Sequence, residues 1–217
     1  KQASIIYINN DVGLSFYPVF LRRFESLGGK ILDVESFNQG AKDMRTQLLK
    51  IKQKKTEAIY LIGHVEESGY VLKQARELGI KCQFLGHLAL EGPDLFKIAG
   101  DAANGVIYTA TGYDSHSKEI KVKEFERKYK AKFNKEGDVF AATAYDAVYI
   151  LKLAIEQVGY SAENIKNELH KIKDFPGITG LTTFDKNGDV EKPILVKMIK
   201  DKKFIIVENL AKLKRND

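Results

Sequence analysis

The sequence predicts an α/β fold: a lobe built on a doubly wound parallel sheet, with an incomplete second lobe. Three observations carry that expectation. Strand-like and helix-like segments alternate with short links from Ser4 to Thr111, the order that a parallel sheet with crossover helices requires. Ala58–Ile62 is a short, unbroken apolar run, as a strand covered on both faces needs. After Gly112-Tyr113-Asp114 the alternation stops, and helical segments follow one another without a sheet of their own to cover.

The elements follow in order. Ser4–Asn9 is β-branched and apolar, a buried strand broken by Asn10-Asp11-Val12-Gly13. Phe16, Phe20, Phe24 and Leu27 recur at helical spacing, and Gly28-Gly29 ends that helix. Pro18 fits only near a first turn, so this helix is expected to start late or to bend. Ile31–Phe37 alternates as a second strand. Asp43 is the expected cap of a helix running to about Lys54, with Leu48, Leu49 and Ile51 inward. Ala58–Ile62 is the third strand. Glu66–Leu78 is the next helix, with Glu66 and Glu67 at its positive end and Gly79 at its close. Gln83–Leu85, Pro93–Ala99 closed by Gly100, and Gly105–Thr111 read as strand, short helix and strand. Helices then follow at Lys118–Asn134, Phe140–Val158 and Ala162–Ile172, the last capped by Ser161. Gly180–Phe184, a turn at Asn187-Gly188, Ile194–Lys200, a turn at Asp201-Lys202 and Phe204–Val207 form an antiparallel end. Leu210–Asp217 reads as a short frayed tail.

Composition excludes several classes. The 217 residues are 44% hydrophobic and 29% charged, a globular balance long enough for a sizeable core. The single cysteine, Cys82, excludes an internal disulfide and a multi-cysteine zinc site. No apolar run reaches the roughly 18 residues of a membrane span, and no secretion signal or lipid anchor is visible in a chain that opens on Lys1. The net charge of +6 is concentrated. Lys118 to Glu136 holds eight basic and four acidic residues, and Lys200 to Asp217 six and three. In the first of these Phe125, Tyr129 and Phe133 form one helical stripe, expected to pack inward while the lysines stay in water. A single-strand binder would interleave exposed aromatics with its basic groups, so no nucleic-acid partner is expected.

Catalytic and cofactor motifs are missing from the sequence. There is no G-x-x-x-x-G-K-[ST] loop, no G-x-G-x-x-G after a strand and no G-x-S-x-G elbow, and neither a cofactor nor a catalytic residue is expected. Cys82 beside Lys81 offers a mild thiolate argument that a half-buried small hydrophobe outweighs. Asp185-Lys186-Asn187-Gly188-Asp189 resembles a calcium loop, but its glycine is fourth where the loop needs it sixth, so a turn is the better reading. His64 and His87 each follow a glycine, Gly63 and Gly86, at a strand end. If those strands are neighbours, both imidazoles share one sheet edge. There they contact a ligand, pair as acid and base, or hold a metal with Asp11 or Glu66. His116 and His170 read as loop and helix-surface residues. In an open α/β sheet, ligands bind beyond the carboxyl ends of the strands. Those ends supply Asn10, Asp11 and Val12, then His64 and Val65, then His87 and Leu88, and this constellation is the expected ligand rim.

Several motifs resemble the type I periplasmic binding proteins, in particular the branched-chain amino-acid (Leu/Ile/Val) receptor group of ABC importers. They are IIYINNDVG at Ile5–Gly13, FNQGAKDMRTQLLKIK at Phe37–Lys52, YLIGHVEESGYVLKQARELGIK at Tyr60–Lys81, QFLGH at Gln83–His87, AYDAVYILKLAI at Ala144–Ile155 and GITGLTTFDKNGD at Gly177–Asp189. The resemblance runs nearly the whole chain. It implies two Rossmann-like lobes joined by three crossovers, with the ligand clamped between them. Residues 1–111 and 180–217 would then be the second, C-terminal lobe. Residues 112–179, including a crossover at 112–114, would be the helical return of the first lobe, whose opening strand–helix units are absent.

By position, the resemblance carries ligand contacts onto Val12, His64 or Val65, and Leu88, with Phe140 as an aromatic contact from the first lobe. Two positions depart from the pattern. The group has an aromatic where Val12 stands, and a carboxylate for the ligand's ammonium where Leu88 stands. An ammonium buried without a counter-charge costs several kcal/mol, so an ordinary α-amino acid is not the expected ligand, and His64 and His87 would serve a carboxylate or an uncharged polar solute. The implied function is a non-catalytic solute-binding protein delivering a small amino-acid-like or carboxylate solute to a membrane permease. Its implied location is periplasmic, or extracellular with a lipid anchor. The alternative is a ligand-sensing domain of a signalling receptor or regulator with the same fold. Phe140, Ala144, Val148 and Leu151 would present an apolar face, so a partner segment or self-association is expected there.

Overall fold

The computed structural model describes residues 1–208, the Pro93 side chain aside; the expected tail at Leu210–Asp217 lies outside the described residues. The chain divides into two compact units, Lys1–Thr109 with the segment from Val196, and Ala110–Leu195.

The first unit is built on a seven-stranded sheet. Its strands are β1 (Gln2–Ile8), β2 (Lys30–Phe37), β3 (Ala58–Ile62), β4 (Gln83–His87), β5 (Ile107–Thr111), β9 (Ile194–Lys200) and β10 (Lys203–Ile206). The spatial order is β10-β9-β5-β4-β3-β1-β2. Strands β2, β1, β3, β4 and β5 are mutually parallel, and β9 and β10 form an antiparallel hairpin. From β1 the chain steps out to β2, then returns past β1 to β3, so the winding reverses between β1 and β3. Such a switch point opens a crevice at the carboxyl ends of the two strands. The central strands are apolar on both faces because both are covered: Ala3, Ile5, Ile6, Ile8, Ile59, Leu61 and Ile62 are fully buried.

Helices α1 (Asp11–Ser26), α2 (Arg45–Gln53), α3 (Val65–Glu77) and α4 (Pro93–Ala99) cover this sheet's crossovers. Helix α1 starts early and carries Pro18 inside it, contrary to the expected late start. The reason is its cap. Asn10 Oδ1 accepts the backbone N–H groups of Val12 (3.0 Å) and Gly13 (3.2 Å), which fixes the first turn directly after β1. Phe20 stacks on Tyr60 at 4.2 Å and on Phe24 at 5.4 Å, as the aromatic spacing requires, whereas Phe16 and Leu27 stay exposed. Buried Met44 takes the N-cap position of helix α2, and Asp43 before it accepts the Arg45 amide through Oδ1 at 3.1 Å. Gln74 of α3 decides this: its Oε1 accepts the Met44 amide (2.7 Å) and its Nε2 donates to the Lys42 carbonyl (2.7 Å), locking the loop onto α3.

The returning strand is anchored by buried charge. Lys197 Nζ donates to Glu91 Oε1 at 2.7 Å, and the Tyr108 hydroxyl donates to the same oxygen at 2.8 Å. Burial and the Glu91 carboxylate together push the Tyr108 phenol far above its ordinary value.

The second unit holds α5 (Ile120–Phe133), α6 (Val139–Val158), α7 (Ala162–Leu169) and an antiparallel three-stranded sheet of β6 (Phe175–Gly177), β7 (Gly180–Phe184) and β8 (Val190–Glu191). Asp146, buried on α6, accepts hydrogen bonds from the Ile178 amide (2.8 Å), the Thr179 amide (2.9 Å) and the Thr179 hydroxyl (2.5 Å). Lys192 completes this cluster, donating to Thr179 Oγ1 and pairing with Asp146 at 3.8 Å. This compact unit therefore runs on to Leu195, and the first resumes at Val196. Strand β7 is paired on both sides within the β6-β7-β8 sheet, and Asp146 grips the β6–β7 hairpin tip. The aromatic stripe of α5 is only half inward: Phe125 is buried, but Phe133 at the helix end is 51% exposed. The opposite face of α6 exposes Phe140, Val148 and Leu151.

Candidate functional site at the carboxyl edge of the parallel sheet

Strands β1 to β4 all end on one edge of the sheet. Beyond β1 lie Asn9 and Asn10; beyond β2, Gln39; beyond β3, Gly63 and His64. Strand β4 ends on His87 itself. Gly13 sets how closely the first helix meets this edge: a Cβ there would fall 1.8 Å from the Ile8 carbonyl oxygen, so only glycine lets α1 begin hard against the end of β1.

Asn10 ties three strand ends together. Its Oδ1 is committed to the α1 cap, so its Nδ2 faces the other way, 3.3 Å from Gln39 Oε1 and 3.4 Å from His64 Nε2. Because the Asn10 amide orientation makes Nδ2 the donor, Nε2 of His64 is the acceptor and the proton of neutral His64 is assigned to Nδ1. His64 also occupies the N-cap position of α3 without capping through its side chain. Glu67 in the first turn of α3 reaches back to the neighbouring loop and accepts the Gly40 amide at 2.8 Å.

His87 differs from expectation: it does not follow a strand end but is the last residue of β4, and it is 5% exposed. The Phe16 ring lies over it, with ring centroids 4.8 Å apart. Burial, and next the nearby His64, lower its pKa to about 4, against an opposing hydrogen bond with the Gly63 backbone. His87 is thus a neutral imidazole at physiological pH, a hydrogen-bonding group without charge. Its Nε2 is buried and has no hydrogen-bond partner among the described residues. Native structures rarely leave such an atom orphaned, since it costs about 1–3 kcal/mol.

The remaining expected residues divide. Val12, in the first turn of α1, is half-buried and packs on the Ile5–Tyr60–Ile62 cluster. Val65 and Leu88 open α3 and a short 3-10 turn, half-buried beside the two histidines in sequence. Asp11 is exposed on the first turn of α1. Phe140 belongs to the second unit, at the start of α6, and is 52% exposed. Among the described residues, no group of three or more His, Cys, Asp or Glu is placed to hold a metal ion. Burial pushes the Cys82 thiol up to about 11, which defeats the thiolate argument. Gln39 and Phe16 were not legible as site residues: Gln39 lies in a loop with no chemical signature, and Phe16 reads as one more apolar position on a helix.

The sequence model of the periplasmic binding protein family matches residues 1–203. This chain belongs to the periplasmic binding protein family. A leucine-, isoleucine-, valine-, threonine- and alanine-binding protein of Pseudomonas aeruginosa is 27% identical over 191 residues, 88% of this chain and 51% of the relative. The Leu/Ile/Val-binding protein of Escherichia coli is 29% identical over 158 residues, 72% of this chain and 42% of the relative. Among solved structures, a leucine-binding protein of Thermotoga maritima superposes with a TM-score of 0.87 at 29% identity, covering 95% of this chain and 59% of that one. A branched-chain amino acid transporter substrate-binding protein of Streptococcus pneumoniae in complex with isoleucine gives 0.79 at 29% identity, covering 94% and 60%. The chain spans about half the length of the curated relatives it matches. As a periplasmic binding protein it has the parallel-dominated α/β fold that the sequence predicted. Family membership implies an extracytoplasmic location, and no described helix is long and apolar enough to cross a membrane.

Proposed function

We propose that the protein is the solute receptor of an ABC importer, without catalytic activity of its own. It binds a small organic solute, amino-acid-like or carboxylate, and presents it to a membrane permease. The observation that carries this reading is the convergence of four strand ends at a sheet switch point, where Asn10 joins Gln39 and His64, and His87 holds an unpartnered buried nitrogen. Asp11, Val12, His64, Val65, His87 and Leu88 are the proposed ligand contacts from this edge, and Phe140 the proposed contact from the first lobe. On this reading residues 112–179 belong to that first lobe, and ligand binding works by differential contact: a solute that touches both lobes stabilises the closed state over the open one. Attachment to the cell surface through a lipid anchor fits the same role. The names of the relatives, all amino-acid-binding proteins, support the solute class.

The test is a thermal-melt screen of the full-length protein against leucine, isoleucine, valine, threonine, alanine, aliphatic carboxylates and aliphatic amides, followed by calorimetry of each stabilising solute. One class raising the melting temperature in a saturable way, with 1:1 calorimetric binding, is the expected result. No shift with any member contradicts the receptor reading.

A further inference from the structure

Resting on the receptor reading, we infer that the part of the solute seated against His87 is an uncharged hydrogen-bonding group, of the primary carboxamide or hydroxyl class, carried on a short aliphatic body. The geometry gives three reasons. First, His87 Nε2 is a buried polar atom with no partner among the described residues, set at the end of β4 beneath the Phe16 ring. A ligand atom that hydrogen-bonds it relieves a cost already present in the unliganded protein.

Second, this edge holds no permanent positive charge for an anion. The segments 9–13, 38–40, 63–67 and 87–88 contain no lysine or arginine, only the acids Asp11, Glu66 and Glu67. The nearby Lys42 is paired with Glu66 at 3.8 Å, both side chains more than half exposed. The first turns of α1 and α3, where backbone N–H groups would otherwise welcome an anion, already hold those acids. Burial, reinforced by His64, keeps the His87 ring neutral, so no cation forms there either. An ionised carboxylate moved to this depth would lose its hydration with no counter-charge in return.

Third, the same argument excludes an ammonium at His87. Asp11 and Glu66 are solvent-exposed, and Glu67 reaches to the neighbouring loop, where its Oε1 accepts the Gly40 amide, so no carboxylate is seated at His87. An amide N–H or a hydroxyl needs no counter-charge and donates to Nε2, the acceptor nitrogen of a neutral imidazole whose N–H is held by the Gly63 backbone. Val12, Val65 and Leu88, just beyond the ends of β1, β3 and β4, make this edge aliphatic.

The experiment uses four probes on one skeleton with the full-length protein: 4-methylpentanamide, 4-methylpentan-1-ol, 4-methylpentanoate and 4-methylpentylammonium. These are titrated by calorimetry against wild type, His87→Phe and His87→Gln, alongside the solutes of the screen above. The expected result is that an uncharged probe binds at least tenfold more tightly than both charged ones. His87→Phe should weaken it at least tenfold, while His87→Gln, which keeps a neutral donor and acceptor, should recover most of the loss. If both variants fail to fold, the His87 imidazole ¹⁵N resonances of wild type supply the readout: the uncharged probe should shift the Nε2 resonance and the carboxylate should not. Preference for a charged probe overturns the inference, as does binding of the uncharged probe that is insensitive to His87→Phe. Failure of every probe and every screened solute overturns the receptor reading instead.

Discussion

At the scale of single residues, His87 and Gly13 carry the most weight. His87 has a pKa lowered from the ordinary 6.5 to about 4 by burial and by His64. The unfolded chain therefore takes up a proton near pH 6.5 that the folded chain refuses until about pH 4. The neutral, buried ring contributes stability that is fully present above pH 6.5 and is lost as pH falls through this window. The shift of about 2.5 units corresponds to about 3 kcal/mol. Urea titrations at pH 7 and pH 4 should show wild type losing about that much more than His87→Phe; equal losses would mean that His87 is not buried neutral. Gly13 permits no side chain, because a Cβ would meet the Ile8 carbonyl oxygen at 1.8 Å and the Tyr7 ring at 2.8 Å. The oxygen belongs to a central strand and cannot retreat. Gly13→Ala should cost at least about 3 kcal/mol, the upper end of overpacking penalties, measured by chemical denaturation. The identity of these two residues is plain in the sequence, but their significance is not. No one-dimensional pattern says that a histidine just before a helical turn will be covered by a phenylalanine 71 positions earlier.

At the scale of elements, the periodicities were a reliable guide wherever one face of a segment is buried and the other wet. Strands β1 to β5 and helices α3 and α6 lie close to where their apolar spacing puts them. The expectations failed where a distant side chain overrode a local signal. Gln74 holds Met44 and Lys42, so Met44 takes the N-cap position and Asp43 serves the Arg45 amide from one residue earlier. Asn10 caps α1 so firmly that Pro18 is carried inside the helix. Asp146 is the largest such case. It sits in the quoted segment AYDAVYILKLAI as one polar residue on a helix, yet it holds the β6–β7 tip and pairs with Lys192, whose pKa burial lowers against the opposing pull of Asp146. That grip ties the segment after Gly180 into the second compact unit. Removing one member of so buried a pair strands the other. Asp146→Ala should therefore cost about 3–5 kcal/mol, and a double-mutant cycle with Lys192→Met should return a coupling of about 1–3 kcal/mol. Additive losses would show that Lys192 and Asp146 act separately.

At the scale of the whole molecule, the fold class follows from counting alternations, and the parallel sheet order makes the carboxyl edge the place to look for a ligand. The rim was legible that far: Asn10, His64 and His87 were named from strand ends alone, and Asn10 and His64 lie 3.4 Å apart. The charge state of the rim was not legible, because it depends on burial. The histidine read as serving a carboxylate or an uncharged polar solute is a neutral, covered ring. If this edge, and no other surface of the first unit, receives the solute, amide chemical-shift mapping of the full-length protein during titration with the solute selected by the screen will show it. Shifts should concentrate at Asn10, Val12, His64, His87 and Leu88. Shifts confined to the opposite end of the strands, around Thr56, Gly79 and Cys82, with the carboxyl edge silent, would contradict it.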